Sequence, residues 1–148
     1  MMKVKEAMTR DVHTVAPDAT LRDAANAMMA ADVGVLPVQE HDRLVGMITD
    51  RDIAVRAIAK GLGPDASVRE VMTRDVKYCF IDADADDVTQ NMGDIQVRRL
   101  PVVNDDKRLV GIVSLCDLAA NGGTRQAGEA LREIARPGGA HNQAAPPA

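Results

Sequence analysis

Val4-Lys5-Glu6-Ala7-Met8-Thr9-Arg10-Asp11-Val12 returns as Val68-Arg69-Glu70-Val71-Met72-Thr73-Arg74-Asp75-Val76, 64 positions further along the chain. Self-similarity at a fixed spacing decides the architecture before any local structure is read. Working outward, Asp18 matches Asp82, Asp23 matches Asp87, Met28 matches Met92, Val33 matches Val97, and Leu36-Pro37-Val38 matches Leu100-Pro101-Val102. The offset then grows by one residue, so that Arg43-Leu44-Val45-Gly46 matches Arg108-Leu109-Val110-Gly111. The insertion falls in the polar turn around Asn104 to Lys107, where an extra residue costs little. Two copies of one unit occupy 3–60 and 67–120, joined by the breaker-rich linker 61–66, with Gly61, Gly63 and Pro64.

Each copy reads as strand, helix, strand, strand, helix, a mixed α+β unit written β-α-β-β-α. Leu21, Ala24, Ala25 and Met28 fall at helical spacing, and Ala85, Val88 and Met92 repeat the stripe. Apolar runs at 33–38 and 44–48, split by the polar Gln39 to Arg43, read as two strands and a turn; 97–103 and 109–113 repeat them. Helices follow at 50–60 and 115–120. So small a unit has too little core to stand alone, so the copies are expected to pack on each other. Residues 121–136 offer a short helix with Ala127, Ala130, Leu131 and Ile134 on one side, for docking on a partner or for surface packing. Residues 137–148, rich in Gly, Pro and Ala, read as a disordered tail.

The composition excludes several functions. The chain has 148 residues, 18 basic and 22 acidic side chains, 46% hydrophobic and 27% charged residues, and a net charge of −4, as in an ordinary soluble globular protein. It carries no basic block, and Tyr78 and Phe80 are its only aromatic residues, so nucleic acid is excluded as a partner. No apolar run approaches the length of a signal peptide or a membrane span, which points to the cytoplasm and away from the membrane. Cys79 and Cys116 are too few for a disulfide framework and are read as buried free thiols.

Each repeat closes on the same device, Gly46-Met47-Ile48-Thr49-Asp50-Arg51-Asp52 and Gly111-Ile112-Val113-Ser114-Leu115-Cys116-Asp117. A strand runs into a helix with a hydroxyl at the junction and a carboxylate three residues on. An ionised carboxylate only accepts hydrogen bonds, and its two oxygens match the two donors of a ribose diol, while the hydroxyl suits a phosphate oxygen. The same spacing is also a capping box that satisfies free helix N–H groups. Thr20-Leu21-Arg22-Asp23 and Ser67-Val68-Arg69-Glu70 are read as capping alone. The duplicated Gly-apolar-apolar strand ahead of the device favours the ligand reading; both stay open.

With these residues in order, the chain resembles a tandem pair of cystathionine-β-synthase (CBS) domains, the Bateman module of the γ subunit of AMP-activated protein kinase and of IMP dehydrogenase. The resemblance covers about 3–120 and rests on Met8-Thr9, Met72-Thr73, Leu36-Pro37-Val38, Arg98-Arg99-Leu100-Pro101-Val102 and the two Gly-x-x-Thr/Ser-x-x-Asp ends. It implies pseudo-twofold related repeats with small mixed sheets packed on helices. It implies a non-catalytic, regulatory module of the stand-alone bacterial type, binding AMP, ADP, ATP, S-adenosylmethionine or NAD between the repeats, dimerising into a flat disc, and signalling to an unknown regulated protein. Carried onto this chain, a first cleft joins Thr49 and Asp52 to Val76 and Lys77, with Arg98 and Arg99 facing phosphate. A second joins Ser114 and Asp117 to Val12, His13, Gly34 and Val35. The first is expected to prefer phosphorylated ligands, and the second to be empty, weak or suited to a less charged nucleoside. The competing reading is a ligand-free dimerisation or adaptor module of the same fold.

Arg98 and Arg99 have alternatives as solvated strand-edge charges or in pairing with Asp94 or Asp105, and Arg51 reads either as extending toward phosphate or as pairing with Asp50 or Asp52; Cys116, beside the second carboxylate, is read as packing. Asp82 to Asp86 begins like a calcium loop, but Asp87 stands where glycine is required and Gly93 where glutamate must bind. These acids are read as crowding a helix N-terminus instead. His13, His41 and His141 are scattered, so no metal site is expected within one chain, and no nucleophile elbow or P-loop supplies catalysis.

Overall fold

A computed structural model describes residues 1–136; the tail expected at 137–148 lies outside them. The elements in order are a 3₁₀ turn (Val4–Glu6), α1 (Leu21–Ala31), β1 (Val35–Glu40), β2 (Arg43–Thr49), α2 (Asp50–Asp52) continued by a π-helix (Ile53–Ala57) and a 3₁₀ turn (Ile58–Lys60), and α3 (Val68–Val71). They are followed by β3 (Cys79–Phe80), α4 (Ala85–Asp94), β4 (Arg99–Val103), β5 (Leu109–Ser114), α5 (Leu115–Ala120) and α6 (Thr124–Ile134). The fold is mixed α and β, with one sheet of order β1-β2 and another of order β3-β4-β5.

The chain forms two compact units, and their membership differs from the repeats. The first-repeat unit holds Asp11–Lys77 and Lys107–Leu109; the second-repeat unit holds Met1–Arg10, Tyr78–Asp106 and the described chain from Val110 onward. The Met-Thr segments explain the exchange. Val4 N–H donates to the Ala83 carbonyl (3.0 Å), Thr9 and Ile112 exchange backbone hydrogen bonds (2.8 and 3.0 Å), and Val4 is fully buried with Met92, Leu100 and Val113. The first copy of the segment thus completes the second repeat's core. The second copy joins the first repeat: Val68 N–H donates to Ala19 O (2.8 Å), Thr73 and Met47 exchange bonds (2.8 and 2.9 Å), and Val68 and Val71 are buried with Leu36 and Ile48. Glycine makes the approach possible. A Cβ on Gly46 would stand 2.7 Å from Met72 Sδ and 2.9 Å from Thr73 O, and one on Gly111 would stand 2.8 Å from both Met8 Sδ and Thr9 O.

Within the first-repeat unit, β1 and β2 are antiparallel with Leu36 opposite Ile48 and Val38 opposite Gly46. The turn is shorter than the polar run suggests: Gln39, Glu40 and Arg43 are still strand, and only His41 (φ 53) and Asp42 (φ 63) turn the chain. Positive φ at both central residues is what a tight two-residue hairpin needs to match strand twist. The first strand of this repeat shrinks to a single parallel bridge, Val15 to Val38, whereas the second repeat keeps β3, paired parallel to β4 with Cys79 opposite Val102. Helix α1 starts on Thr20, whose hydroxyl accepts from Asp23 N–H (3.1 Å), and buries Leu21, Ala24 and Met28; Ala25, expected on that stripe, faces outward. Helix α6 buries Ala127, Ala130 and Ile134 against its own unit, on α4 and α5, and leaves Leu131 exposed.

Candidate functional site

In the first-repeat unit the hairpin register sets Val35 opposite Thr49, and Asp50 N–H donates to the Gly34 carbonyl (2.9 Å), closing the strand-to-helix corner. Thr49 is the N-cap. Its hydroxyl accepts from Asp52 N–H (3.0 Å), and Asp52 Oδ2 accepts from Thr49 N–H (2.9 Å), so the capping box is fully formed. One carboxylate oxygen is thereby tied to backbone. The other, Oδ1, has Arg56 Nη1 3.9 Å away, and the same guanidinium nitrogen donates to Thr73 Oγ1 (3.4 Å). Arg56 is carried by the π-helix, where Ile58 N–H is shared between the Ala54 and Ile53 carbonyls. Single π turns are rare and recur at functional sites.

The second-repeat corner has the same skeleton. Leu115 N–H donates to the Arg98 carbonyl (2.8 Å), Ser114 Oγ accepts from Asp117 N–H (3.0 Å), and Asp117 Oδ2 accepts from Ser114 N–H (2.9 Å). Here Asp117 Oδ1 has no partner among the described residues. The position matching Arg56 is Asn121, whose Nδ2 donates to the Asp117 backbone carbonyl (2.7 Å) rather than to its carboxylate.

The residues expected at a ligand divide between the units. Val12, His13, Gly34, Val35, Thr49, Asp52, Val76 and Lys77 lie in the first-repeat unit; Arg98, Arg99, Ser114 and Asp117 lie in the second-repeat unit. Lys77 pairs with Asp75 (3.7 Å). Arg98 and Arg99 are exposed and pair with neither Asp94 nor Asp105, and Arg51 meets Asp50 only through its backbone N–H (2.8 Å to Oδ1). Gly34 differs from its counterpart Arg98 in more than size: the Asp50 carboxylate lies over it, with Oδ2 2.9 Å from where a Cβ would stand. The glycine side therefore carries an anion where the matching position carries a cation. Arg56, Thr73 and Asp50 are not among the residues that the sequence assigns to a ligand. The spacing of Asp52 and Arg56, one helical turn apart, was the available signal for the first of them.

Cys79 is buried, and burial pushes its thiol up to about 12. Cys116 corrects the expectation of two buried thiols: it is exposed, because position 116 falls on the outer side of α5 while Leu115 and Leu118 point into the core. The acids from Asp82 act as expected near a helix start, Asp84 accepting from Asp86 N–H (3.0 Å) as the N-cap of α4. Among the described residues, no three His, Cys, Asp or Glu side chains are grouped to hold a metal ion; His141 lies outside them. No described helix is long and apolar enough to cross a membrane.

The CBS domain model matches the chain twice, over residues 4–58 and 68–121, and each match ends just past a corner. The chain belongs to the CBS-domain family. The CBS domain-containing protein YhcV of Bacillus subtilis is 44% identical over 135 residues, covering 90% of this chain and 96% of that protein. Hypoxic response protein 1 of Mycobacterium tuberculosis is 39% identical over 122 residues, covering 80% and 84%. Among solved structures, the CBS domain pair of protein MJ0100, in complex with 5′-methylthioadenosine and S-adenosyl-L-methionine, superposes with a TM-score of 0.73 at 31% identity, covering 84% of this chain and 98% of that one. Hypoxic Response Protein I, with two coordinated zinc ions, superposes with the same TM-score of 0.73 at 39% identity, covering 82% and 99%.

Proposed function

We propose that this CBS pair is a regulatory, non-catalytic sensor of adenosine-containing ligands. The observation that carries the reading is the state of the two corner carboxylates: each gives one oxygen to its own capping box and keeps Oδ1 off the backbone. An ionised carboxylate with an oxygen to spare is an acceptor for a ribose diol. The MJ0100 pair, of the same fold, holds two such nucleosides. In the first-repeat unit, Thr49 and Asp52 take the ribose and the backbone at Val76 and Lys77 takes the base; in the second-repeat unit, Arg98 and Arg99 are two exposed guanidiniums suited to phosphate. In the second-repeat unit, Ser114 and Asp117 take a ribose, and in the first-repeat unit Val12, His13, Gly34 and Val35 are the residues proposed to meet a second ligand. With the Asp50 carboxylate over it, the Gly34 surface suits an uncharged or cationic group at the 5′ position, a thioether or a sulfonium, better than a phosphate. The ligand class is an adenine nucleotide, AMP, ADP or ATP, in the first cleft, with NAD or S-adenosylmethionine as alternatives.

The protein acts in the cytoplasm as a homodimer, and ligand alters its shape and so biases a regulated protein. Ligand shifts that equilibrium only as far as its affinities for the two shapes differ. Titration calorimetry on Asp52→Ala tests the site: AMP affinity falls about tenfold or more, from a charged hydrogen-bond network worth roughly 1.5–3 kcal/mol. The closed capping boxes favour one other reading, a ligand-free dimerisation or adaptor module, which predicts no nucleotide binding and a stability loss of about 1 kcal/mol for the same variant.

A further inference from the structure

The two corners share a skeleton and differ in one side chain that the repeat alignment sets opposite another: Arg56 against Asn121. Arg56 reaches the free oxygen of Asp52 (3.9 Å) and donates to Thr73 Oγ1 (3.4 Å). It is the described cation within ion-pair distance of that carboxylate, and it spans from the helix after the corner to the Met-Thr segment that leads into Val76 and Lys77. Asn121 turns its amide onto its own helix (2.7 Å to Asp117 O), and among the described residues no cation pairs with the Asp117 carboxylate.

We propose that Arg56 is a specificity-determining residue: by pairing with Asp52 it offsets the charge of that carboxylate and so favours phosphorylated over uncharged nucleosides there. This rests on the reading of Asp52 as the ribose-binding carboxylate. A bare carboxylate accepts a diol but repels the phosphate attached to the same sugar; a guanidinium beside it removes the repulsion and leaves the hydrogen-bond acceptor in place. A ribose that displaces Arg56 from Oδ1 frees a cation, on a side chain held by Thr73, next to the ligand's own anion. Among the described residues the Asp117 corner has no such cation, and it discriminates less.

The test is the ratio of AMP to adenosine affinity, measured by titration calorimetry on the full chain. Loss of a purely structural contact lowers both affinities together and leaves the ratio in place. Arg56→Asn, which copies the other corner, is expected to weaken AMP about tenfold and adenosine less than about twofold. Asn121→Arg is expected to raise the ratio at the second corner, read in an Asp52→Ala background that weakens the first. Equal changes for AMP and adenosine in Arg56→Asn overturn the inference and leave the sensor reading standing. Failure of the unsubstituted protein to bind either compound overturns both, whereas binding of both with an unchanged AMP-to-adenosine ratio in Arg56→Asn overturns this inference alone.

Discussion

Helices α1 and α4 are one element in two copies, and they have been finished differently. Their inner faces agree: Leu21, Ala24 and Met28 are buried at the positions of Ala85, Val88 and Met92, and a left-handed residue follows each helix, Asp32 (φ 55) as the C-cap of α1 and Gln96 (φ 57) one residue beyond the C-cap of α4. Their outer faces do not. Helix α4 is roofed by α6, and Gly93 lets Ala130 come so near that a Cβ there would stand 3.0 Å from Ala130 Cα; Gln96 adds a hydrogen bond to Glu133 O (2.8 Å). The position matching Gly93 on α1 is Met29, which is 77% exposed. Duplication thus kept the inward stripe, which each core needs, and let the outward face follow whatever covers it. The corners obey the same rule, with a shared skeleton of strand, cap and carboxylate and different charges around it.

The contrast between roofed and bare helix breaks most visibly at Ile134, the last buried residue of α6 and 6% exposed. Ile134→Ala is expected to cost about 2 kcal/mol, the low end for a buried isoleucine because the final turn can relax into the gap. Met29→Ala on the bare helix is expected to stay within about 0.5 kcal/mol. Urea unfolding measures both, and equal losses would mean that α1 is covered in solution.

The second effect is a pH dependence carried by the second-repeat core alone, since Cys79 corresponds to Val15 in the first repeat. Burial raises the Cys79 thiol from 9.0 to about 12. Between these values the unfolded chain gives up the proton and the folded chain keeps it, so stability is complete below pH 9 and declines above it. The decline attributable to this group is about 1.4 kcal/mol per pH unit. Cys79→Ala is expected to flatten the alkaline limb of stability against pH, a difference read against the unsubstituted protein at each pH.

Much of this was legible in the sequence because a repeat is read by comparison and needs no scale of propensities. The two corners, the paired strands and the inner helical stripe all follow from matching residues 64 or 65 places apart. The exchange of the Met-Thr segments did not follow. Val4 and Val68 present the same side chain in the same setting, so the repeat is silent on which copy fills which core; only the backbone bonds to Ala83 and to Ala19 decide it. Ala25 and Cys116 were misplaced for a related reason. Periodicity gives the direction of a face to within a residue or so, and small or marginal side chains at its edge turn either way. The reach of Arg56 depends on a π turn, which no pattern of apolar spacing announces.

The smallest expected difference is the sharpest test of how alike the corners are. Thr49 and Ser114 hold nearly superimposable capping boxes, with the hydroxyl accepting at 3.0 Å in both. Replacing either by alanine removes one hydrogen bond to a helix N–H that water can partly replace, because both corners are half-buried. Each loss should be about 1 kcal/mol. The pair need not be equal. Behind Thr49 the helix is only three α residues before the π turn, and Arg56 ties Asp52 and Thr73 together, so losing the hydroxyl leaves the first corner with a second restraint. Behind Ser114 a regular α5 continues for six residues, and Asp117 has only Ser114 and its own helix. Ser114→Ala is therefore expected to be the costlier of the two by a few tenths of a kcal/mol. Combining Thr49→Ala with Arg56→Asn should bring the first corner down to the second. Additivity in that double variant would mean that Arg56 does not hold the corner together and acts on the ligand alone.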